Sequence, residues 1–272
     1  MAYGRSLRAC GAALTAGLVL AGCAGGGGGD GKPDGGARGG TTPSASASAP
    51  PSTAVPTATA YTFTPDPARV PKTPADAKRL ALAVVAGPDA WGPDYVEGKP
   101  YLSTEGSWPV LPDTCLWEAG TLPATVLYSA TTHSEIPAAG GKGRVRVTAT
   151  VTIHRTADDA DWEMAQTLEE ALRCPAQTLR EGERISGLMS IGDLGDAGNL
   201  FSEDSINERG KFIDDTVKGQ HFYGWTQARV GQVTVAVSAR GGPGHTDDDL
   251  STSMAKASVT MINRVESQLG AK

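Results

Sequence analysis

Chemistry in this chain has to start from four cysteines, four histidines, five tryptophans and a few acidic clusters. A thiol can be a nucleophile, a metal ligand, an acyl acceptor or half of a disulfide, and its surroundings decide which. No second Cys or His stands at metal-ligand spacing from Cys115 or Cys174, so zinc is not expected there. Gly187-Leu188-Met189-Ser190-Ile191-Gly192 places its serine one residue too late for a G-x-S-x-G nucleophile elbow. His133, His154, His221 and His245 are scattered, without the H-E-x-x-H pattern, and no glycine run has the order of a phosphate-binding loop. Asp247-Asp248-Asp249 reads as the acidic first turn of a helix, where the helix dipole favours anions. Asp193, Asp196 and Asn199 lack the order and closing Glu of a calcium loop and read as a turn before a strand. The expectation is therefore no catalytic residue, no metal and no cofactor. An envelope hydrolase whose Ser-His-Asp site assembles from distant positions is the alternative, since such triads are defined by geometry.

The aromatic residues offer binding chemistry instead: Trp91, Trp108, Trp117, Trp162 and Trp225 are candidates to line a site for sugars or an apolar ligand. Trp162 falls on the apolar stripe of a helix, with Ala165, Leu168 and Leu172, and is expected in the core. Trp225 alternates with His221, Tyr223, Gln227 and Arg229 along one strand, opposite Phe222, Ala228 and Val230. If the second set packs inward, the first lines something else. Tyr223, Trp225 and Arg229 are thus the candidate ligand-binding residues, on a strip suited to a groove. The competing reading covers these aromatics with a neighbouring loop or helix.

Cys23 has a different setting. Arg5 and Arg8 precede an apolar run from Ala9 to Leu20, which is short of the ~20 residues a membrane span requires. Leu20-Ala21-Gly22-Cys23 then resembles the bacterial lipobox. That resemblance implies lipidation of the Cys23 sulfur with palmitate-like acyl chains and cleavage before it, leaving residues 1–22 as signal peptide. Several acyl chains hold a protein to a membrane stably, each buried CH₂ contributing about 0.8 kcal/mol. Export also places Cys115 and Cys174 in an oxidising setting, where a remaining pair is expected to form a disulfide.

The formal net charge is −6, and loss of Arg5 and Arg8 with the signal peptide makes the balance more acidic still. Such a chain lacks the clustered cations that nucleic acid requires. Acidic surface is also repelled by anionic headgroups, so acyl chains rather than charge would hold it to the membrane. Residues 23–60 are Gly-, Ala-, Ser-, Thr- and Pro-rich and cannot bury enough apolar area to offset ordering. They read as a disordered tether, with coil ends about 30–40 Å apart.

Residues 61–272 read as one domain. Thr73-Pro74-Ala75-Asp76 opens a helix that stops at Gly87-Pro88, and residues 87–123, rich in Pro and Gly, look irregular. Arg144 to His154 alternates strictly, with Val145, Val147, Ala149, Val151 and Ile153 on one side, as an antiparallel strand with one wet face does. Thr156 caps a helix to Arg173. Weaker strand signals lie near 184–191 and 197–203, followed by a charged, loop-like region to Lys218. A hairpin turns at Gly231, and a last helix begins near Asp247. This order predicts an α+β fold: an antiparallel sheet with two or three packed helices and one disulfide.

The segments Cys115-Leu116-Trp117, Ala171-Leu172-Arg173-Cys174-Pro175 and Tyr223-Gly224-Trp225-Thr226-Gln227-Ala228-Arg229-Val230 resemble those of the PknH-type extracellular sensor-like domains and related actinobacterial lipoproteins. The chain departs from them in having one cysteine pair where two are common, with Thr226 where another cysteine is looked for. The resemblance covers about residues 75–268. It implies an antiparallel sheet with packed helices, a ligand cleft and no catalytic residues. The expected function is a lipid-anchored extracytoplasmic lipoprotein, acting as a ligand-binding or sensory accessory module of the cell envelope. Its expected partners are the membrane, through the anchor, and a small-molecule or cell-wall ligand.

Overall fold

A computed structural model describes residues 61–194 and 201–271. The signal segment, Cys23, the tether, Asp196 and Asn199 lie outside the described residues. In chain order the elements begin with α1 (Pro74–Val84), β1 (Val96–Leu102), β2 (Ser107–Val110) and β3 (Glu118–Thr121). Then come β4 (Val126–Ile136), β5 (Val145–His154), α2 (Ala157–Arg173), β6 (Gln177–Arg180) and β7 (Glu183–Leu194). The chain continues through β8 (Asp204–Asp214), β9 (His221–Val230), β10 (Val233–Arg240) and α3 (Asp247–Leu269). Eight strands form one sheet in the order β1-β4-β5-β10-β9-β8-β7-β6, every neighbouring pair antiparallel, and β2 and β3 pair separately. The fold is α+β.

Each helix starts on a threonine. Thr73, Thr156 and Thr246 accept hydrogen bonds from Asp76, Asp159 and Asp249 backbone N–H groups, and Thr156 with Asp159 completes a capping box. Acids in all three first turns suit the dipole. The β9–β10 connection turns at Gly231, whose φ of 58° a side chain rarely tolerates.

One sheet face is the core. Val147, Val151 and Ile153 of β5 and Val233, Val235 and Val237 of β10 pack with Phe222 and Ala228 of β9 against α1 and α3. From α3 come Leu250, Met254, Met261, Val265 and Leu269, all buried. Burying each such side chain contributes about 1.5–3 kcal/mol.

The opposite face departs from sequence expectation in three places. Residues 87–123 hold β1 and the β2–β3 hairpin rather than irregular chain alone. The charged stretch after 203 is β8, a strand of 11 residues. Its charges misled because this strand alternates between two differently polar surroundings, with Ile206 and Phe212 buried beside partners of opposite character. Third, Trp162 is 70% exposed and Leu172 82% exposed, whereas Ala160, Met164 and Ala171 are buried. α2 lies over the polar face of the sheet, so Ala160, Met164, Ala171 and hydrogen-bonding groups turn inward while Trp162 and Leu172 face out. Trp162→Ser is accordingly expected to change stability by no more than about 0.5 kcal/mol, read by urea denaturation. A loss of several kcal/mol would restore Trp162 to the core.

Candidate functional site

The floor of the site is a grid of hydroxyl groups. On the side of β4, β5 and β10 that points away from the valine core, Ser129, Thr131, Thr148, Thr150, Thr152, Thr234 and Ser238 form the middle, and strand register sets them side by side. Thr131 and Thr150 meet at 2.9 Å, Ser129 and Thr152 at 3.1 Å, and Thr148 and Ser238 at 2.7 Å. Such cross-strand hydroxyl pairs satisfy one another while leaving lone pairs for a further partner.

Two walls stand on this floor. The first is α2, anchored by its own polar contacts to the sheet. Glu163 Oε2 lies 2.7 Å from Nε2 of the buried His154 and accepts from the Thr234 hydroxyl at 2.6 Å. Thr167 donates to Gln227 Oε1 at 2.8 Å. The second wall is the β2–β3 hairpin, with Trp108 on β2 and Trp117 in the connection just before β3. The Trp117 indole N–H donates to Gln177 Oε1 at 2.9 Å, and the Trp117 backbone N–H donates to Thr178 O at 2.9 Å. Between the walls lies a groove of about 730 Å³, within the size range of small-molecule sites.

The disulfide joins the two walls. Cys115 lies between β2 and β3, Cys174 caps the C-terminus of α2, and their sulfurs are bonded with Cα atoms 5.5 Å apart. Arg173 reinforces the joint by donating to Leu111 O at 2.8 Å. A sheet face that would otherwise be open is thus bracketed by two elements pinned to each other.

The end of the groove is aromatic and acidic. Tyr223 and Trp225 of β9 line it, Tyr223 buried and Trp225 partly so. Glu208 stands directly opposite Trp225 on β8, and Glu170 reaches in from α2. Burial, with the Glu170 carboxylate adding to it, pushes the Glu208 carboxyl up to about 7; the facing Ser190 hydroxyl pulls the other way. Burial likewise pushes Glu170 up to about 7, helped by Glu169 and Glu163 and opposed by Arg173. Arg240, at the floor's edge, has its pKa lowered by burial and by Arg146, and its guanidinium contacts Glu183 Oε2 at 3.3 Å. Burial, with Arg240, also lowers the pKa of His133.

Of the three residues singled out on β9, Tyr223 and Trp225 come together at the groove and Arg229 does not. Arg229 is bonded to Glu203 and Asp204 at the far end of its strand, where it closes the β8–β9 edge. Trp108 and Trp117, two of the five tryptophans that could line a site, do line it, whereas Glu170 and Glu208 escaped sequence reasoning. The two tryptophans flank Cys115 at −7 and +2 in the chain. The glutamates carried no signal, because one looks like any helix surface acid and the other lay in a stretch read as loop. Among the described residues no cluster of His, Cys, Asp or Glu is arranged to hold a metal ion.

No family model matches the chain, and no curated protein matches it. Among solved structures, the extracellular domain of PknH from Mycobacterium tuberculosis is similar at 15% identity and a TM-score of 0.45. That match covers 74% of this chain and 99% of the other.

Proposed function

We propose that this chain is a lipid-anchored extracytoplasmic protein whose domain serves the cell envelope as a ligand-binding or sensory accessory module. The observation that carries the reading is the groove: a hydroxyl floor, two walls clamped by a disulfide, and Trp108, Trp117 and Trp225 along one cavity. Amphipathic rings with few rotatable bonds supply contact area at low entropic cost. The apolar N-terminal run, Cys23 and the tether support anchoring outside the cytoplasm.

Two experiments test the two halves. Cys23→Ala is expected to shift the protein from the detergent to the aqueous phase, or to leave it unprocessed; wild-type partitioning and trimming contradict the anchor. Native mass spectrometry of the full chain isolated from its own host is expected to show a retained small molecule that Trp225→Ala loses. An adduct that survives this substitution places binding outside the groove.

One observation favours hydrolysis as a second reading. Glu170 and Glu208 are held partly protonated near neutral pH, the state a general acid requires. Turnover of aryl glycosides or esters that Glu208→Gln abolishes would establish it.

A further inference from the structure

The inner end of the groove holds the carboxyl groups of Glu170 and Glu208, and among the described residues no ion pair reaches either. Glu208 is only 6% exposed, yet its Oε1 has no hydrogen-bond partner. A buried carboxylate left unpaired costs far more than one paired, so the site stands to gain from whatever supplies a donor or a positive charge. Glu170 faces the same end from α2, and two carboxylates sharing one cavity repel.

The nearby cations are engaged elsewhere. Arg173 bonds Glu169, Asp113 and Leu111 O on the outer side of the disulfide. Arg240 is held by Glu183, together with Arg146. Glu163, two helical turns before Glu170, is taken by His154 and Thr234. An anionic ligand would therefore meet two acids and no free guanidinium. A neutral ligand would leave the mutual repulsion in place. A cation relieves it, and the surrounding rings suit one, since indole and phenol faces attract cations.

We propose that this end of the groove binds a protonated organic amine, its ammonium head between Glu170 and Glu208 and its carbon body against Trp225, Tyr223 and the hairpin indoles. Three N–H donors on the head match the unpartnered Glu208 oxygen and the acceptors beside it. The hydroxyl floor then contacts the remainder of the ligand. This assignment rests on the groove being a binding site and adds the charge and class of what enters it.

The test is isothermal titration of the full chain at pH 8 with three probes of one shape: phenethylammonium, neutral 2-phenylethanol and anionic phenylacetate. The amine is expected to bind at least tenfold more tightly than either of the others. Glu208→Gln, which keeps the side-chain shape, should weaken it tenfold or more while thermal unfolding confirms the fold, and Glu170→Gln should weaken it in the same direction. Alcohol binding as tight as the amine's, abolished by Trp225→Ala, overturns the ammonium assignment and leaves the groove reading standing. Amine binding indifferent to both Glu208→Gln and Trp225→Ala overturns both. Absence of amine binding at millimolar concentration overturns the assignment.

Discussion

Replacing Cys115 and Cys174 together by alanine is expected to lower stability by about 4 kcal/mol and to loosen the groove at the same time. The pair is separated by 59 residues, and the chain-entropy model gives about that figure for cross-linking a loop of this length. It is a large share of the 5–15 kcal/mol that usually separates folded from unfolded states. The structural consequence is more specific than the energy. The β2–β3 hairpin is paired to no strand of the main sheet and is tied to it through Cys115, the Leu116–Thr178 bridge and the Trp117 contacts to β6. Without the bond, amides of Ser107–Thr121 should exchange with solvent faster than those of β5 or β10. Urea denaturation and hydrogen exchange measure the two effects. A loss below about 1 kcal/mol with unchanged hairpin exchange would show that packing alone holds the wall.

Glu208→Gln should stabilise the protein in alkaline solution by an amount on the order of 3 kcal/mol. The wild-type carboxyl moves from an ordinary value of 4.5 to about 7 on folding, each unit corresponding to 1.36 kcal/mol. Because the folded pKa is the higher one, the folded state keeps a proton that the unfolded state releases. The contribution is therefore fully present below about pH 4.5 and is lost as pH rises through about 7. Glutamine has the same shape and no charge to desolvate, so its profile should lose this component of the decline. The other groups facing Glu208 and Glu170, namely Glu163, Glu169 and Arg173 on α2, Tyr223 on β9, Arg240 on β10 and His133 on β4, are common to both proteins. Unfolding free energies at pH 4.5, 6 and 8 decide the matter. The two profiles should meet at the acid end and separate at the alkaline end; parallel profiles would show that Glu208 is not desolvated.

Much of the scaffold was legible in the sequence. The alternation in residues 145–153, the threonine caps, the turn at Gly231 and the start of the last helix at Asp247 each rest on local rules that tertiary structure did not override. The disulfide was expected only through the export that the N-terminal segment suggests, not from its own spacing. What failed was everything that depended on a second buried face. Thr148, Thr150 and Thr152 looked like a water-facing row because sequence cannot show that α2 and a hairpin arrive above them. Trp162 looked like core because an amphipathic helix is read as packing its apolar stripe inward, and here the sheet offers that helix a polar surface. The alternation of Tyr223 and Trp225 did identify the strand face that borders the groove. It could not tell Arg229 apart, since its partners Glu203 and Asp204 come from the preceding strand and its approach.

Five indole N–H groups make the central claim directly measurable. Trp108, Trp117 and Trp225 border the groove, Trp91 is buried in the core at 1% exposure, and Trp162 lies on the outer face of α2. In a ¹H–¹⁵N correlation spectrum of the full chain each indole gives its own signal, so the protein carries both reporters and controls. Titration with a low-molecular-weight extract of the host envelope, and with phenethylammonium as a defined probe, is expected to shift the Trp108, Trp117 and Trp225 signals together while those of Trp91 and Trp162 stay in place. Shifts confined to Trp162, or no shift at any indole with either addition, would contradict the groove as the binding site of this protein.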